Sequence, residues 1–155
     1  MRRKEKEIDD QSIIDKILST SDICRIAVMD GNRPYIVPLN YGNKGRTLYF
    51  HSSKFGKKID LLKQNNQVCF EIESPSELIK NENACDWGTK YRSIIGYGAI
   101  DFITDPEEKK FDLDAIMSHY GNTGEKVYNE RLIELIVILK LNIREISGKQ
   151  SGSWD

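Results

Sequence analysis

A chain of 155 residues has room for one domain that buries roughly two thirds of the surface its unfolded form exposes, and no room for a second domain of cofactor-binding size. Apolar residues make up 39% and charged residues 30%, and 23 lysines and arginines nearly cancel 24 aspartates and glutamates to leave a net charge of −1, so charge gives no argument for nucleic acid or an anionic membrane as partner. The mixed-charge start Met1-Arg2-Arg3-Lys4-Glu5 and the absence of any run near ~20 apolar residues argue against export and against a membrane span. Cys24, Cys69 and Cys85 are widely spaced and odd in number, and two of them sit in apolar runs; they read as reduced structural thiols of a cytoplasmic protein, with Cys85 set apart in a polar loop.

Taken in chain order, Ile13, Ile14, Ile17 and Leu18 fall on one helical side behind Asp9 or Asp10 as N-cap, which predicts a short opening helix over 10–18. Residues 24–29 and 35–41 read as strands joined across Asp30-Gly31-Asn32, a hairpin signal, and 47–51 as a third strand after Asn43-Lys44-Gly45. Phe55, Ile59 and Leu62 then recur at i, i+4, i+7, so the period changes to that of a helix, with Gly56-Lys57-Lys58 at its start and Asn65-Asn66 at its end. Residues 67–72 return to strand composition, and 74–89 read as a long, polar, irregular and exposed connection of the kind that often carries function. A long strand over 91–103 follows, in which Gly96 and Gly98 predict a bend or a close backbone approach. Asp105-Pro106-Glu107-Glu108 opens a helix with N-cap, N1 proline and an N3 glutamate, and Gly121 ends it. The isoleucine- and leucine-rich run 133–146 reads as a central strand, with a buried helix as the rival reading. The fold class is therefore mainly β: a six-stranded antiparallel barrel with flanking helices rather than a parallel nucleotide-binding sheet.

Chemistry concentrates in two segments. Pro38 cannot donate to a ladder, so the strand Pro34-Tyr35-Ile36-Val37-Pro38-Leu39-Asn40-Tyr41 belongs at an edge or bulge, where free peptide groups can bond a flat heterocycle. His51, Ser52, Lys57 and Lys58 bring imidazole, hydroxyl and ammonium groups to a strand–loop–helix junction suited to a phosphate. This is not a Walker loop: His51 stands where its first glycine would be, and Lys58 where its serine or threonine would be. Simpler readings sit beside these. His51 could cap local backbone, the lysines could be a solvated face, and Pro38 could guard an edge against aggregation. Lysines at a helix N-terminus nonetheless oppose the macrodipole unless an anion is present. Tyr41, Tyr49 and Tyr97 read as amphipathic core residues and His119 as a dipole partner. Trp87 and Trp154 either pack on a neighbouring subunit, where they could cover a cofactor, or are disordered.

The ordered set Tyr35-Ile36-Val37-Pro38-Leu39-Asn40-Tyr41, Phe50-His51-Ser52 with Gly56-Lys57-Lys58, and Tyr91-Arg92-Ser93-Ile94-Ile95-Gly96-Tyr97-Gly98 resembles the pyridoxamine 5′-phosphate oxidase-like superfamily of FMN-binding split barrels, in particular its branch related to nitroimidazole-resistance proteins. The resemblance spans roughly residues 10 to 148 and leaves 1–9 and 149–155 as flexible tails of a single domain. It implies a homodimer with FMN in a cleft between subunits, Val37, Pro38, Leu39 and Asn40 facing the ring, His51, Ser52, Lys57 and Lys58 near the ribityl phosphate, and Tyr91 and Ser93 as a third element. Lysine replaces the arginine common in such phosphate sites, and nothing matches residues that recognise pyridoxal phosphate, which argues against pyridoxamine phosphate oxidase activity itself.

The function expected is an FMN-dependent oxidoreductase that takes electrons from a small-molecule donor and passes them to a small planar acceptor such as a nitroaromatic or quinone. The alternative is a non-catalytic protein that holds flavin, deazaflavin or haem on the same barrel; haem would need an axial histidine, and only His51 and His119 are available. No acid–base dyad is visible, so no catalytic residue is named, and no residue set is assigned to a metal.

Overall fold

The computed structural model describes residues 3–154. Its first strand, β1 (Glu7–Ile8), precedes α1 (Gln11–Thr20), which Asp10 caps by accepting from the Ser12 N–H. β2 (Cys24–Asp30) and β3 (Arg33–Leu39) close on a two-residue turn in which Gly31 takes a φ of +60°, a value that costs glycine little. β4 (Gly42–Lys44) and β5 (Thr47–Ser53) make a second hairpin, followed by α2 (Lys57–Gln64) and β6 (Gln67–Glu73). β7 (Glu77–Ile79) and the long β8 (Gly88–Ile103) lead to α3 (Pro106–His119), α4 (Glu130–Leu135) and the long β9 (Ile136–Ser151).

All strand pairs are antiparallel, in the order β3-β2-β6-β8-β9-β5-β4, with β1 added beside the end of β9 and β7 beside the start of β8. The fold is the mainly β class read from the sequence. Six strands have seven or more residues, matching the six expected, and the three short strands β1, β4 and β7 bring the sheet to nine. Short strands of this kind carry too little periodicity to be read from sequence.

The interior is filled by Ile26, Val28, Phe50, Phe70, Ile72, Ile94, Leu139 and Leu141 from the sheet, with Ile17 and Leu18 of α1 and Ile59 and Leu62 of α2 packed into the same cluster. Side chains of this size stabilise by roughly 1.5–3 kcal/mol each when fully buried. A second small cluster, Tyr49, Ala115, Ile116 and Ile138, seats α3 against the other face of β5 and β9. The glycine pair of β8 behaves as expected. Gly96 lies under the Phe70 ring, Gly98 lies against the Asn142 carbonyl, and between them the register slips so that Tyr97 faces Glu145 and Gly98 faces Ile143. Arg144 is the extra residue of this bulge.

Three sequence readings need correction. The run 133–146 is not one strand: residues 133–135 close α4, whose Asn129 cap accepts from the Arg131 N–H, and whose Ile133 carbonyl accepts from the buried Lys109 ammonium at 3.0 Å. The connection 74–89 is not irregular throughout, because β7 pairs with the first residues of β8 and Ser74 bonds Arg92 in both directions. The ends are not simply tails. Ile8 is buried, β1 pairs with Gly148 and Lys149, and β9 runs to Ser151, so parts of 1–9 and 149–155 belong to the sheet; Met1, Arg2 and Asp155 lie outside the described residues.

Candidate functional site

The parity of β3 decides what its edge can offer. Asp30 and Arg33 close a two-residue hairpin, so they form the pair that exchanges both backbone bonds, and Val28–Tyr35, Ile26–Val37 and Cys24–Leu39 follow in the same phase. The backbone groups of Tyr35, Val37 and Leu39 are thereby used on β2, and their side chains pack against the core. Pro34, Ile36 and Pro38 face the open edge. Two of those three residues lack an N–H, so this edge presents three carbonyls and a single donor, the Ile36 amide, beside an Ile36 side chain that is 62% exposed. Of the ring-facing residues expected from the sequence, Pro38 is thus at the open edge, Val37 and Leu39 turn inward, and Asn40 lies beyond the strand with its amide donating to the Tyr120 hydroxyl at 3.1 Å. Ile36 was missed; the spacing Pro34-x-Ile36-x-Pro38 is the signal that points to it.

The second segment begins where β5 ends. His51 is exposed and Ser52 buried, opposite Ile138 and Val137 of β9. The chain then turns into α2 through Gly56, which stands at the N-cap with a φ of +116° and supplies no side-chain cap. Lys57 and Lys58 occupy the first turn but differ. The Lys57 ammonium lies 2.6 Å from an Asp30 carboxylate oxygen and 4.8 Å from the centre of the Tyr35 ring, and the Asp30 bond and charge raise its pKa. Lys58 is half-buried, forms no ion pair with any described residue, and has its pKa lowered by desolvation. The electrostatic conflict of two cations at a helix start is therefore answered for Lys57 by Asp30 and left open at Lys58.

Tyr91 and Ser93 lie elsewhere. His51 pairs with Ile138, and Ile138 pairs with Ile103, whereas Ser93 and Tyr91 sit at the opposite end of β8 across from Lys149 and Ser151. At ~3.3 Å per residue this separation is on the order of 30 Å along the strand, so one chain does not bring Tyr91 and Ser93 to the His51–Lys58 junction, whereas the Pro38–Arg25–Glu71–Ile95 register puts Ser93 nearly level with the end of β3, three strands away. Beside Tyr91, Trp154 lies over Arg92 at 4.0 Å and Lys90 at 4.6 Å and donates to the Ser151 carbonyl, so this tryptophan packs on its own chain. Trp87 is 50% exposed and donates to the Asn81 carbonyl. His119 holds the Ser21 carbonyl at 2.8 Å and packs against Tyr41, a structural tie between α3 and the end of α1. Cys24 is buried, Cys69 partly so and Cys85 exposed, each as a free thiol. No helix among the described residues is long and apolar enough to cross a membrane.

This combination of an antiparallel split barrel, a proline-flanked open edge and a lysine-bearing strand–helix junction defines a class, and the comparisons name it. The model of the pyridoxamine 5′-phosphate oxidase family matches residues 10–150, and the chain belongs to that family. A solved structure of a candidate 5-nitroimidazole antibiotic resistance protein from Bacteroides thetaiotaomicron is 32% identical, covers 93% of this chain and 86% of that one, and superposes with a TM-score of 0.83. The FAD and haem binding protein from Mycobacterium smegmatis superposes with a TM-score of 0.85 over 96% of this chain and 75% of that one, at 20% identity, a likeness of fold. An uncharacterized protein of Rhizobium meliloti is 36% identical over 56 residues, and the matched region spans 36% of each chain.

Proposed function

We propose that this chain is an FMN-binding flavoprotein that works as a cytoplasmic homodimer and passes electrons from a small-molecule donor to a small planar acceptor such as a nitroaromatic or quinone. The observation that carries the reading is Lys58: a half-buried ammonium that forms no ion pair with any described residue, in the first turn of a helix whose cap supplies no side-chain acceptor. Such a group fits a phosphate monoester, which forms charge-assisted bonds with ammonium, hydroxyl and helix N–H donors. In this reading Lys58 holds the phosphate, with Ser52 from the core face of β5 as the hydroxyl donor while His51 faces the opposite side of the strand, and the Ile36 amide with the carbonyls of Pro34, Ile36 and Pro38 orients the polar edge of the ring. The bound flavin would supply the one- and two-electron chemistry, and the chain would hold it in place and tune its potential.

Two features support a second copy. Tyr91 and Ser93 are far from the His51–Lys58 junction of their own chain, and Met29, Ile36, Ile95 and Tyr97 of β2, β3 and β8 are exposed on one face of the sheet, which a solvated face would not need. Absorption spectroscopy on protein passed through gel filtration tests the whole reading. Retained flavin bands, a dimer mass, and loss of the bands in Lys58→Met are expected. A Soret band would favour haem, for which His51 is the exposed imidazole, His119 being engaged with Ser21. No chromophore after addition of FMN would overturn the proposal.

A further inference from the structure

The ion pair between Asp30 and Lys57 joins two parts of the site that nothing in the sheet ladder joins. Asp30 is the last residue of β2, at the tip of the hairpin whose outer strand is β3; Lys57 is the first residue of α2. β3 bonds to β2 alone, and its tip residues Gly31, Asn32, Arg33 and Pro34 are exposed. Beside the β2 ladder and the packing of Val28 and Tyr35 on the core that also holds Ile59 and Leu62, this ion pair ties the hairpin tip to the helix start. The contact is doubled, because the same ammonium lies over the Tyr35 ring from the other strand of the hairpin. Lys58, one residue on, is anchored independently, since its neighbours Ile59 and Leu62 are buried in the core.

We propose that Asp30 and Lys57 are positioning residues whose ion pair fixes the open edge of β3 relative to the His51–Lys58 junction. This rests on reading the cleft as a flavin site. Lys57 is then no phosphate ligand: it holds the hairpin, and Lys58 alone of the two senses the phosphate.

The test compares Asp30→Asn, Lys57→Met, the reversed pair Asp30→Lys with Lys57→Asp, and Lys58→Met, reading the dissociation constants of FMN and riboflavin by flavin fluorescence. Each latch single variant is expected to weaken FMN by up to about fivefold, the span an exposed ion pair allows, and the reversed pair to recover most of that loss. Lys58→Met is expected to erase the preference for FMN over riboflavin, and Lys57→Met to keep it. Tighter FMN binding in Asp30→Asn would show that Asp30 competes with the phosphate, and a preference erased equally by Lys57→Met would make Lys57 a ligand; either result overturns the proposal. Amide exchange at the 30–36 hairpin is read on the same proteins without flavin. If the wild-type chain binds no flavin, the flavin reading fails, and faster exchange in the single variants with recovery in the reversed pair would still show the latch. Unchanged exchange would sink the latch as well.

Discussion

The starts of α2 and α3 are built on opposite plans. At α3 every local device agrees: the Asp105 side chain accepts from the Glu108 N–H at 2.9 Å, Pro106 stands in the first turn, and Glu107 and Glu108 complement the positive end of the helix. At α2 the cap is Gly56 with no side-chain acceptor, and the first turn carries two lysines ahead of a single acidic residue, Asp60. One helix start is finished by its own residues; the other leaves N–H groups and a half-buried ammonium for something else to complete. Conflict between local chemistry and fold is expected at sites that bind.

Four substitutions or titrations test this contrast, from the largest expected effect to the smallest. Gly56 has φ +116° and ψ 164°, a region only glycine enters freely, so Gly56→Ala is expected to cost about 1–3 kcal/mol in a denaturant melt and to weaken flavin binding with it. Lys58→Met is expected to weaken FMN about tenfold or more, as measured by titration, while the flavin-free protein melts no lower than wild type because a desolvated charge has been removed. Asp105→Ala is expected to cost about 1 kcal/mol of stability with FMN affinity unchanged; a loss of affinity equal to that of Lys58→Met would erase the distinction between the two helix starts. The smallest effect is with pH. Lys58 has its folded pKa lowered, so the unfolded chain holds more protons between that value and the ordinary lysine value near ~10.4, and flavin-free stability rises with pH across that window. FMN affinity falls across the same window, since only the ammonium form attracts phosphate, and both trends should vanish in Lys58→Met.

What the sequence made legible was local. Asp10, one of the two candidates for the first helix, and Asp105 cap their helices, the Asp30-Gly31-Asn32 turn joins the strands on either side, and Gly96 and Gly98 mark a bulge and close approaches. What it hid depends on partners far away in the chain. The isoleucine-rich run divides at Ile136: before it α4 buries Ile133 and leaves Leu132 and Leu135 exposed, with the Ile133 carbonyl held by Lys109 of α3, and after it β9 is buried, a division that apolar composition alone does not mark. Ile8 is a core residue only because β9 extends to meet it. At the site, the sequence gathers its candidate residues at two segments, but which peptide groups of β3 stay free follows from pairing phase, and the split between Lys57 and Lys58 follows from Asp30 across the fold. Neither is written in the local pattern.

The proline spacing of β3 also decides what this protein can assemble into. A strand adding itself to a sheet edge needs a donor at every second residue, and between Pro34 and Pro38 it would find one, at Ile36. The edge therefore cannot template fibre growth, although it sits next to an exposed isoleucine on an apolar face. What the edge offers is one amide with its flanking carbonyls, a set too sparse for the ladder of a polypeptide strand.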